Sequence, residues 1–297
     1  MKTPLRYAGG KSKAYKIITE YLPEKFPKDR IISPFLGGGS LESRWSSELG
    51  IKTIGFDAFE QLIVFWCILL QDPQGLADRC RHLVPTREEY KAVKEELLKW
   101  NITQQMFAGY GDRYKYYERE PICLDHKNAA AYYYFNHNLS YGPMFLGWMS
   151  KIYESPEKWE RMCKRVEEYR NPNLTAMKGD YANTLDEFDS DFLYLDPPYY
   201  LEKDKDNKMF KGMYPNCNFA VHHDTFNHEG LMLQLSRHKG PFILSYNNCE
   251  TIRDWYSEYE IVYPEWHYSY ALGEKRIGKN KVNNDPKKSH EILIIKR

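Results

Sequence analysis

Residues 192–199 read Phe-Leu-Tyr-Leu-Asp-Pro-Pro-Tyr, an apolar strand followed directly by a stiff polar turn. Pro197 and Pro198 fix φ and remove two backbone donors, so the loop that leaves the strand is rigid and presents unpaired carbonyls. The Asp196 carboxylate and a proline carbonyl can together accept both hydrogens of an exocyclic amine, and the Tyr199 ring can cover the face of a base. The stretch therefore predicts a site that alkylates an aromatic amine. A strand-ending turn with a capping aspartate is the alternative interpretation.

A glycine-rich turn precedes this stretch, in the segment Ser33-Pro-Phe-Leu-Gly-Gly-Gly-Ser40. Three successive glycines after a short apolar strand allow a sharp turn and a close approach of the backbone to a ligand. Asp57 follows Gly37 by 20 residues, where α/β nucleotide folds place the acid that binds ribose hydroxyls. The pattern is neither GxGxxG nor a Walker loop, which favours a cofactor without a pyrophosphate. A structural turn and a helix-capping aspartate are the alternatives for these two features.

The N-terminal segment contains a third glycine motif, Tyr7-Ala-Gly-Gly-Lys11. A glycine pair before a basic helix start is similar to a phosphate-binding loop. The GxxxxGK[ST] spacing is absent, so the sequence does not predict ATP binding.

Short apolar runs alternate with amphipathic stretches along most of the chain, which predicts an α/β fold. The predicted strands are Arg30–Ser33, Lys52–Phe56, Leu174–Lys178, Phe192–Leu195, Pro241–Tyr246, Ile261–Pro264 and Ile292–Ile295. The predicted helices are Lys11–Leu22, Ala58–Gln71, Arg87–Trp100, Asn128–Phe135, Pro156–Arg170 and His228–Arg237. Strand signals lapse between about residues 70 and 170, so a helical insertion into the α/β domain is the simplest interpretation.

Composition limits the class of protein. The 297 residues are 42% hydrophobic and 28% charged, which excludes a disordered chain, collagen or a coiled coil. The longest apolar run, Leu62–Leu70, is too short to span a membrane and no leader opens the chain, so we expect a cytoplasmic protein without a membrane partner. The six cysteines show neither CxxC nor CxH spacing, which predicts no metal site and no disulfide framework. The formal net charge of +1 means that nucleic-acid binding must come from a local patch.

Together, the three motifs resemble those of the Dam-like (D12 class, α-group) DNA adenine methyltransferases. YAGGK at residues 7–11, FxGxG at 35–39, an acid at Asp57 and DPPY at 196–199 occur in that family's order, and residues 134–138 (YFNHN) are similar to its aromatic helix. The resemblance implies a Rossmann-like, S-adenosylmethionine-dependent methyltransferase sheet with helices on both faces and a helical target-recognition insertion. It places the catalytic domain at residues 1–75 and 171–297 and the insertion at residues 76–170.

The resemblance also implies the reaction, which is transfer of a methyl group from S-adenosylmethionine to the N6 amine of a flipped-out adenine in duplex DNA, without a metal. The implied catalytic clamp is Asp196, Pro197, Pro198 and Tyr199. The implied cofactor-binding residues are Tyr7, Lys11, Phe35, Gly37, Gly39, Asp57, Asp180 and Asp196. For Asp180, which follows another predicted strand, a capping role is the alternative.

Duplex DNA is the partner that the resemblance implies. Residues 142–151 (GPMFLGWMSK) depart from the hairpin of the family's GATC-methylating members, so no recognition sequence is predicted. The candidate DNA-binding residues are Asn138, Lys151, Lys275, Arg276, Lys279 and Lys281. The last four lie in a basic loop that either contacts phosphates or is merely solvated. A cognate restriction endonuclease stays open as a further partner, and we expect a monomer or a weak dimer.

Two other functions are consistent with the motifs. Related (Asp/Asn)-Pro-Pro-Tyr clamps serve methyltransferases that act on RNA or on protein glutamine, but these usually start with Asn, whereas Asp196 starts this one. A binding protein that kept the fold and lost catalysis is the second alternative. The intact glycines, Asp57 and Asp196 argue against it.

Overall fold

The computed structural model describes residues 1–106, 124–200, 226–264 and 291–297. The helices in these ranges are α1 (Tyr15–Thr19), α2 (Glu42–Glu48), α3 (Glu60–Gln71), α4 (Pro73–Arg81), α5 (Arg87–Met106), α6 (Leu124–Leu139), α7 (Pro156–Glu167), α8 (Tyr181–Glu187), α9 (His228–Arg237) and α10 (Glu250–Trp255). The strands are β1 (Arg30–Ser33), β2 (Lys52–Asp57), β3 (Leu174–Lys178), β4 (Phe192–Leu195), β5 (Phe242–Asn247), β6 (Glu260–Val262) and β7 (Glu291–Lys296). This alternation confirms the predicted α/β class. None of the described helices is both long and apolar enough to cross a membrane.

The chain divides into two compact units, each built from two separate stretches. The first unit contains Met1–Gly10 and Leu36–Asp180, and the second contains Lys11–Phe35 and Tyr181–Arg297. In the first unit, β2 and β3 pair in parallel, with Asp57 opposite Lys178 at the end of the ladder. The carboxyl ends of the two strands therefore adjoin, and the Gly179 N–H donates to the Asp57 carbonyl at 3.1 Å.

Large aromatic side chains pack the helices of the first unit. Phe65 of α3 stacks on Tyr134 of α6 with ring centres 5.3 Å apart, and the Tyr134 hydroxyl donates to the Met162 carbonyl of α7 at 3.0 Å. The Trp159 indole of α7 donates to the Cys80 carbonyl of α4 at 3.0 Å. These contacts explain the apolar run of α3, which is a buried core helix with side chains covered on nearly all sides.

The described residues of the second unit form five strands in the order β1-β4-β5-β7-β6. β1, β4 and β5 are parallel, whereas β7 runs antiparallel to both β5 and β6. Every residue of β4 and the first five residues of β5 and β7 are buried, which is why these strands read as continuous apolar runs. Because β7 is reversed, its amino end at Glu291 lies beside the carboxyl end of β5 at Asn247.

Several predicted boundaries differ from the structure. The predicted helix Lys11–Leu22 is wrong in extent, because Lys11 begins a tight turn in which the Ala14 N–H donates to the Lys11 carbonyl at 2.9 Å, and α1 starts only at Tyr15. β6 starts at Glu260 and ends at Val262, before the predicted end at Pro264.

Four short helices, α2, α4, α8 and α10, are absent from the predicted helices. The α4 helix has a sequence signal, since Pro73 occupies its first turn and the Asp72 side chain accepts a hydrogen bond from the Gly75 N–H at 2.9 Å. The α8 and α10 helices have seven and six residues, too few to develop a helical hydrophobic period.

A buried carboxylate joins the starts of two strands in the second unit. Asp191, which is fully buried before β4, accepts hydrogen bonds from Arg30 Nε at 2.6 Å and Lys28 Nζ at 2.9 Å. Burial opposes ionisation of Asp191, but these two cations outweigh it and hold the pKa of the carboxyl below its ordinary value. Its contribution to stability is therefore present above about pH 4 and is lost as the pH falls through the lowered pKa.

We expect Asp191→Asn to lower the free energy of unfolding at pH 7 by about 1–3 kcal/mol, because charge-assisted hydrogen bonds to a buried acceptor are lost. The difference from wild type should be smaller at about pH 3 than at pH 7, because pH 3 lies below the ordinary aspartate pKa and the unfolded chain then binds a proton that the folded protein resists. Urea unfolding of wild type and variant at both pH values measures this difference in the free energy of unfolding. Asp189→Asn is the control, since Asp189 pairs with Lys239 at the surface and should change little. A difference that does not depend on pH would contradict the assignment.

Candidate active site

The glycine-rich turn lies in the first unit, between β1 and α2. Gly37 and Gly39 have φ of +47° and +57°, in the left-handed region where a side chain is unfavourable. A Cβ on Gly38 would lie 2.4 Å from the Tyr7 Cβ, and a Cβ on Gly39 would lie 2.6 Å from the Trp66 ring. Backbone conformation and close packing within the protein therefore both require glycine in this turn.

Asp57 fastens this turn to the end of β2. One carboxylate oxygen accepts a hydrogen bond from the Gly37 N–H at 2.9 Å, and the other accepts from the Phe59 N–H at 2.9 Å. Asp57 thus accepts hydrogen bonds from backbone N–H groups of the protein, as the alternative interpretation of a capping aspartate predicts. A carboxylate has about four acceptor positions, so these two hydrogen bonds do not by themselves prevent Asp57 from accepting from ligand hydroxyl groups.

Tyr7 is part of a column of stacked rings in the first unit. Its ring stacks on His137 with centres 5.4 Å apart, and His137 stacks on Tyr133 at the same distance. Burial lowers the pKa of His137 to about 3, and the positive charge of Arg6 acts in the same direction. His137 is therefore neutral at pH 7 and places no positive charge beside Tyr7.

The two remaining cofactor candidates lie at the ends of strands. Asp180 is exposed and follows Gly179, at the edge where β2 and β3 end. Phe35, in the second unit, stacks on Tyr181 with centres 5.6 Å apart and makes an edge contact with Phe226 at 5.7 Å. Both roles stay predictions.

Asn138, a candidate DNA-binding residue, is fully buried in the first unit. Its side-chain oxygen accepts a hydrogen bond from the Arg6 N–H at 2.8 Å, and its carbonyl accepts one from the Arg6 guanidinium. Asn138 thus anchors the N-terminal segment, and a DNA contact would require its side chain to leave these partners. Lys151 is exposed at the start of a 3-10 helix. Lys275, Arg276, Lys279 and Lys281 lie outside the described residues.

The DPPY loop of the second unit is held by a buried lysine. Lys11 Nζ lies 2.8 Å from each carboxylate oxygen of Asp196. The Lys11 side chain is 3% exposed and that of Asp196 is 24% exposed. The same ammonium lies 5.2 Å from the centre of the Tyr199 ring. The structure thus brings Lys11, expected to border the cofactor, onto the carboxylate of the predicted clamp.

Two residues outside the predicted site also contact this loop. The Asn247 side chain accepts a hydrogen bond from the Tyr200 N–H and donates one to the Tyr200 carbonyl, both at 2.9 Å. Glu291 Oε1 lies 3.8 Å from Lys11 Nζ. In the sequence, Asn247 stands at the end of one apolar strand and Glu291 at the start of another. That position is a sequence signal, but it does not show which residues these two side chains contact.

This arrangement presents hydrogen-bond acceptors next to an aromatic ring. The Asp196 carboxylate, whose two oxygens contact the ammonium, and the carbonyls of a proline-rich loop suit an amine that loses electron density during reaction. In the described ranges, no group of three or more His, Cys, Asp or Glu side chains could hold a metal ion.

Gly38→Ala should lower the free energy of unfolding by about 1–3 kcal/mol, because the new methyl group would overpack against Tyr7. Gly10→Ala is the matched control. Its Cβ would approach the Tyr7 carbonyl only to 3.2 Å and needs a smaller shift. Denaturant unfolding of both variants checks the ranking. If the two variants are equally stable, contact with Tyr7 is not the reason why position 38 requires glycine.

Comparison with known families agrees with this chemistry. Residues 7–270 match the family model described as D12 class N6 adenine-specific DNA methyltransferase. No curated protein matches the chain. Members of this class use S-adenosylmethionine, which confirms the predicted cofactor. The class methylates adenine in DNA, which agrees with a DNA substrate and disfavours the RNA and protein-glutamine alternatives. Because the match covers most of the chain, including all three motifs, this chain belongs to the D12 class of N6 adenine-specific DNA methyltransferases.

Proposed function

We propose that this chain methylates N6 of a flipped-out adenine at a specific site in duplex DNA, with Asp196, Pro197, Pro198 and Tyr199 as the catalytic clamp. The contact of Lys11 Nζ with both oxygens of Asp196 at 2.8 Å carries the proposal. That contact fixes the orientation of the carboxylate, as an acceptor for an exocyclic amine requires.

In this proposal Asp196 and the Pro197 carbonyl accept the two hydrogens of the target amine. Adenine N6 is a weak nucleophile, because its lone pair is delocalised into the ring. Hydrogen bonds from N6 to these two acceptors favour a more tetrahedral nitrogen and strengthen as positive charge develops on it. Lys11 uses only part of the acceptor capacity of Asp196, so the amine can bind without displacing it.

S-adenosylmethionine supplies a methyl group on a positively charged sulfur when it is bound. We infer that Asp57 binds its ribose hydroxyls, and that Tyr7, Phe35, Gly37, Gly39 and Asp180 form the rest of its binding residues. The residues of the first unit fit such a cation, since Asp57 and Asp180 carry negative charge and His137, behind Tyr7, is neutral. Lys11 is better supported as the partner of Asp196 than as a cofactor ligand.

Target recognition is assigned to residues 76–170, which we propose form the insertion that contacts DNA. The described residues there form helices α4 to α7, with a single β-bridge between Ser140 and Met149. Extruding the adenine from the duplex gives the clamp access to N6. Lys151 is the exposed described candidate for a DNA contact.

Asp196→Asn should lower kcat by about 100-fold or more, because the amide is a weaker acceptor for the developing charge. Its affinity for S-adenosylmethionine should change far less. Asp57→Asn should do the reverse and weaken cofactor binding most. Tritium transfer to duplex DNA measures kcat, and calorimetry measures cofactor affinity. Turnover of Asp196→Asn within threefold of wild type would refute the clamp, and unchanged cofactor affinity of Asp57→Asn would refute the ribose role.

Tyr199→Phe should retain activity, because stacking on a flipped base needs the ring and not the hydroxyl. Tyr199→Ala should lose about 1–3 kcal/mol of stacking free energy. Fluorescence of 2-aminopurine at the target position, together with the rate of methyl transfer, tests the order Tyr, Phe, Ala. If Tyr199→Phe lowers the methyl-transfer rate as much as Tyr199→Ala does, the Tyr199 hydroxyl is required and ring stacking does not explain the role of this residue.

A further inference from the structure

Asn247 and Glu291 face each other across the β5–β7 ladder, at the strand ends beside the DPPY loop. We propose that both are positioning residues for methyl transfer, Asn247 through the backbone of Tyr200 and Glu291 through Lys11. This inference rests on the proposed role of Asp196 and extends the clamp to a second strand of the sheet.

The Asn247 amide pairs with Tyr200 as a neighbouring strand would. It donates to the Tyr200 carbonyl and accepts from the Tyr200 N–H, both at 2.9 Å. Tyr200 directly follows the DPPY motif, whose two prolines have no N–H to offer to a strand or turn. One end of the loop is fixed by β4, and Asn247 fixes the other end to β5. The span from Asp196 to Tyr199 is thereby restrained at both ends.

Glu291 acts on the charge of the clamp. Lys11 Nζ lies 2.8 Å from Asp196 and 3.8 Å from Glu291, and the Lys11 and Glu291 side chains are only 3% and 7% exposed. Charges so far removed from water interact strongly. Counted as formal charges, one lysine and two acids sum to −1, which favours positive charge developing on the amine nitrogen. Without the carboxylate of Glu291, Lys11 would cancel the charge of Asp196.

The test compares kcat and KM of the full-length protein on duplex DNA for Glu291→Gln, Glu291→Asp and Asn247→Ala. We expect Asn247→Ala to lower kcat about tenfold, because small displacements of a reacting group are costly. We expect Glu291→Gln to lower kcat by a similar factor, because Lys11 then offsets the charge of Asp196. KM for S-adenosylmethionine should stay within twofold of the wild-type value. Glu291→Asp, which keeps the charge, should recover part of kcat. Glu260→Gln is the matched control, since Glu260 is an exposed carboxylate on β6 that pairs with Arg297 and should leave kcat unchanged.

Asp196→Asn, measured alongside, separates this inference from the proposed function. If Asp196→Asn is inactive while Glu291→Gln and Asn247→Ala turn over within twofold of wild type, the positioning roles are overturned and the clamp stands. If Asp196→Asn is active, the clamp itself fails. Thermal unfolding and duplex affinity report folding. Should Glu291→Gln fail to fold, Glu291→Ala, which also removes the charge, decides for Glu291: a lowered kcat with unchanged KM supports the role, and a wild-type kcat overturns it.

Discussion

The second unit is organised around the neutralisation of one buried ammonium. A lysine removed from water is tolerated only with nearby acceptors, and Lys11 has Asp196 and Glu291. These three residues are far apart in the chain, so their contact requires the sheet order that brings the ends of β4, β5 and β7 to one edge. The same contact orients the carboxylate on which the proposed chemistry depends, so folding and catalysis share one electrostatic constraint.

In the first unit, close packing around the glycine turn is the main constraint. The glycine turn has no room for a methyl group at Gly38 because Tyr7 lies against it, and Asp57 holds the turn by accepting from the Gly37 N–H. The capping and ligand-binding interpretations of Asp57 are therefore compatible, because a carboxylate has about four acceptor positions and the two hydrogen bonds to the turn do not use all of them. Because these two hydrogen bonds hold the Asp57 carboxylate in one orientation, any hydrogen bond that it makes to a ligand has a defined geometry.

The strands were the most predictable part of the fold. β1, β3 and β4 coincide with the predicted ranges and β7 extends its range by one residue at each end, because buried strands carry continuous apolar runs. Short helices such as α8 and α10 were not predictable, since tertiary contacts rather than a hydrophobic period stabilise them. Of the candidate site, the spacing of Asp57 after Gly37 predicted a ribose contact but not the hydrogen bond between these two residues. Asn247 and Glu291 were not candidates at all.

The sequence by itself determined the class of fold, the order of the three motifs and, through them, the family, the cofactor and the DNA substrate. These properties depend on local patterns: apolar runs, glycines at turns and a proline-rich tetrapeptide. Only the tertiary structure decided which charges meet, that Lys11 contacts Asp196 and that Asn138 is buried against Arg6. The physical reason is that a side chain's partners depend on strand order and register, which bring together residues that no local spacing connects.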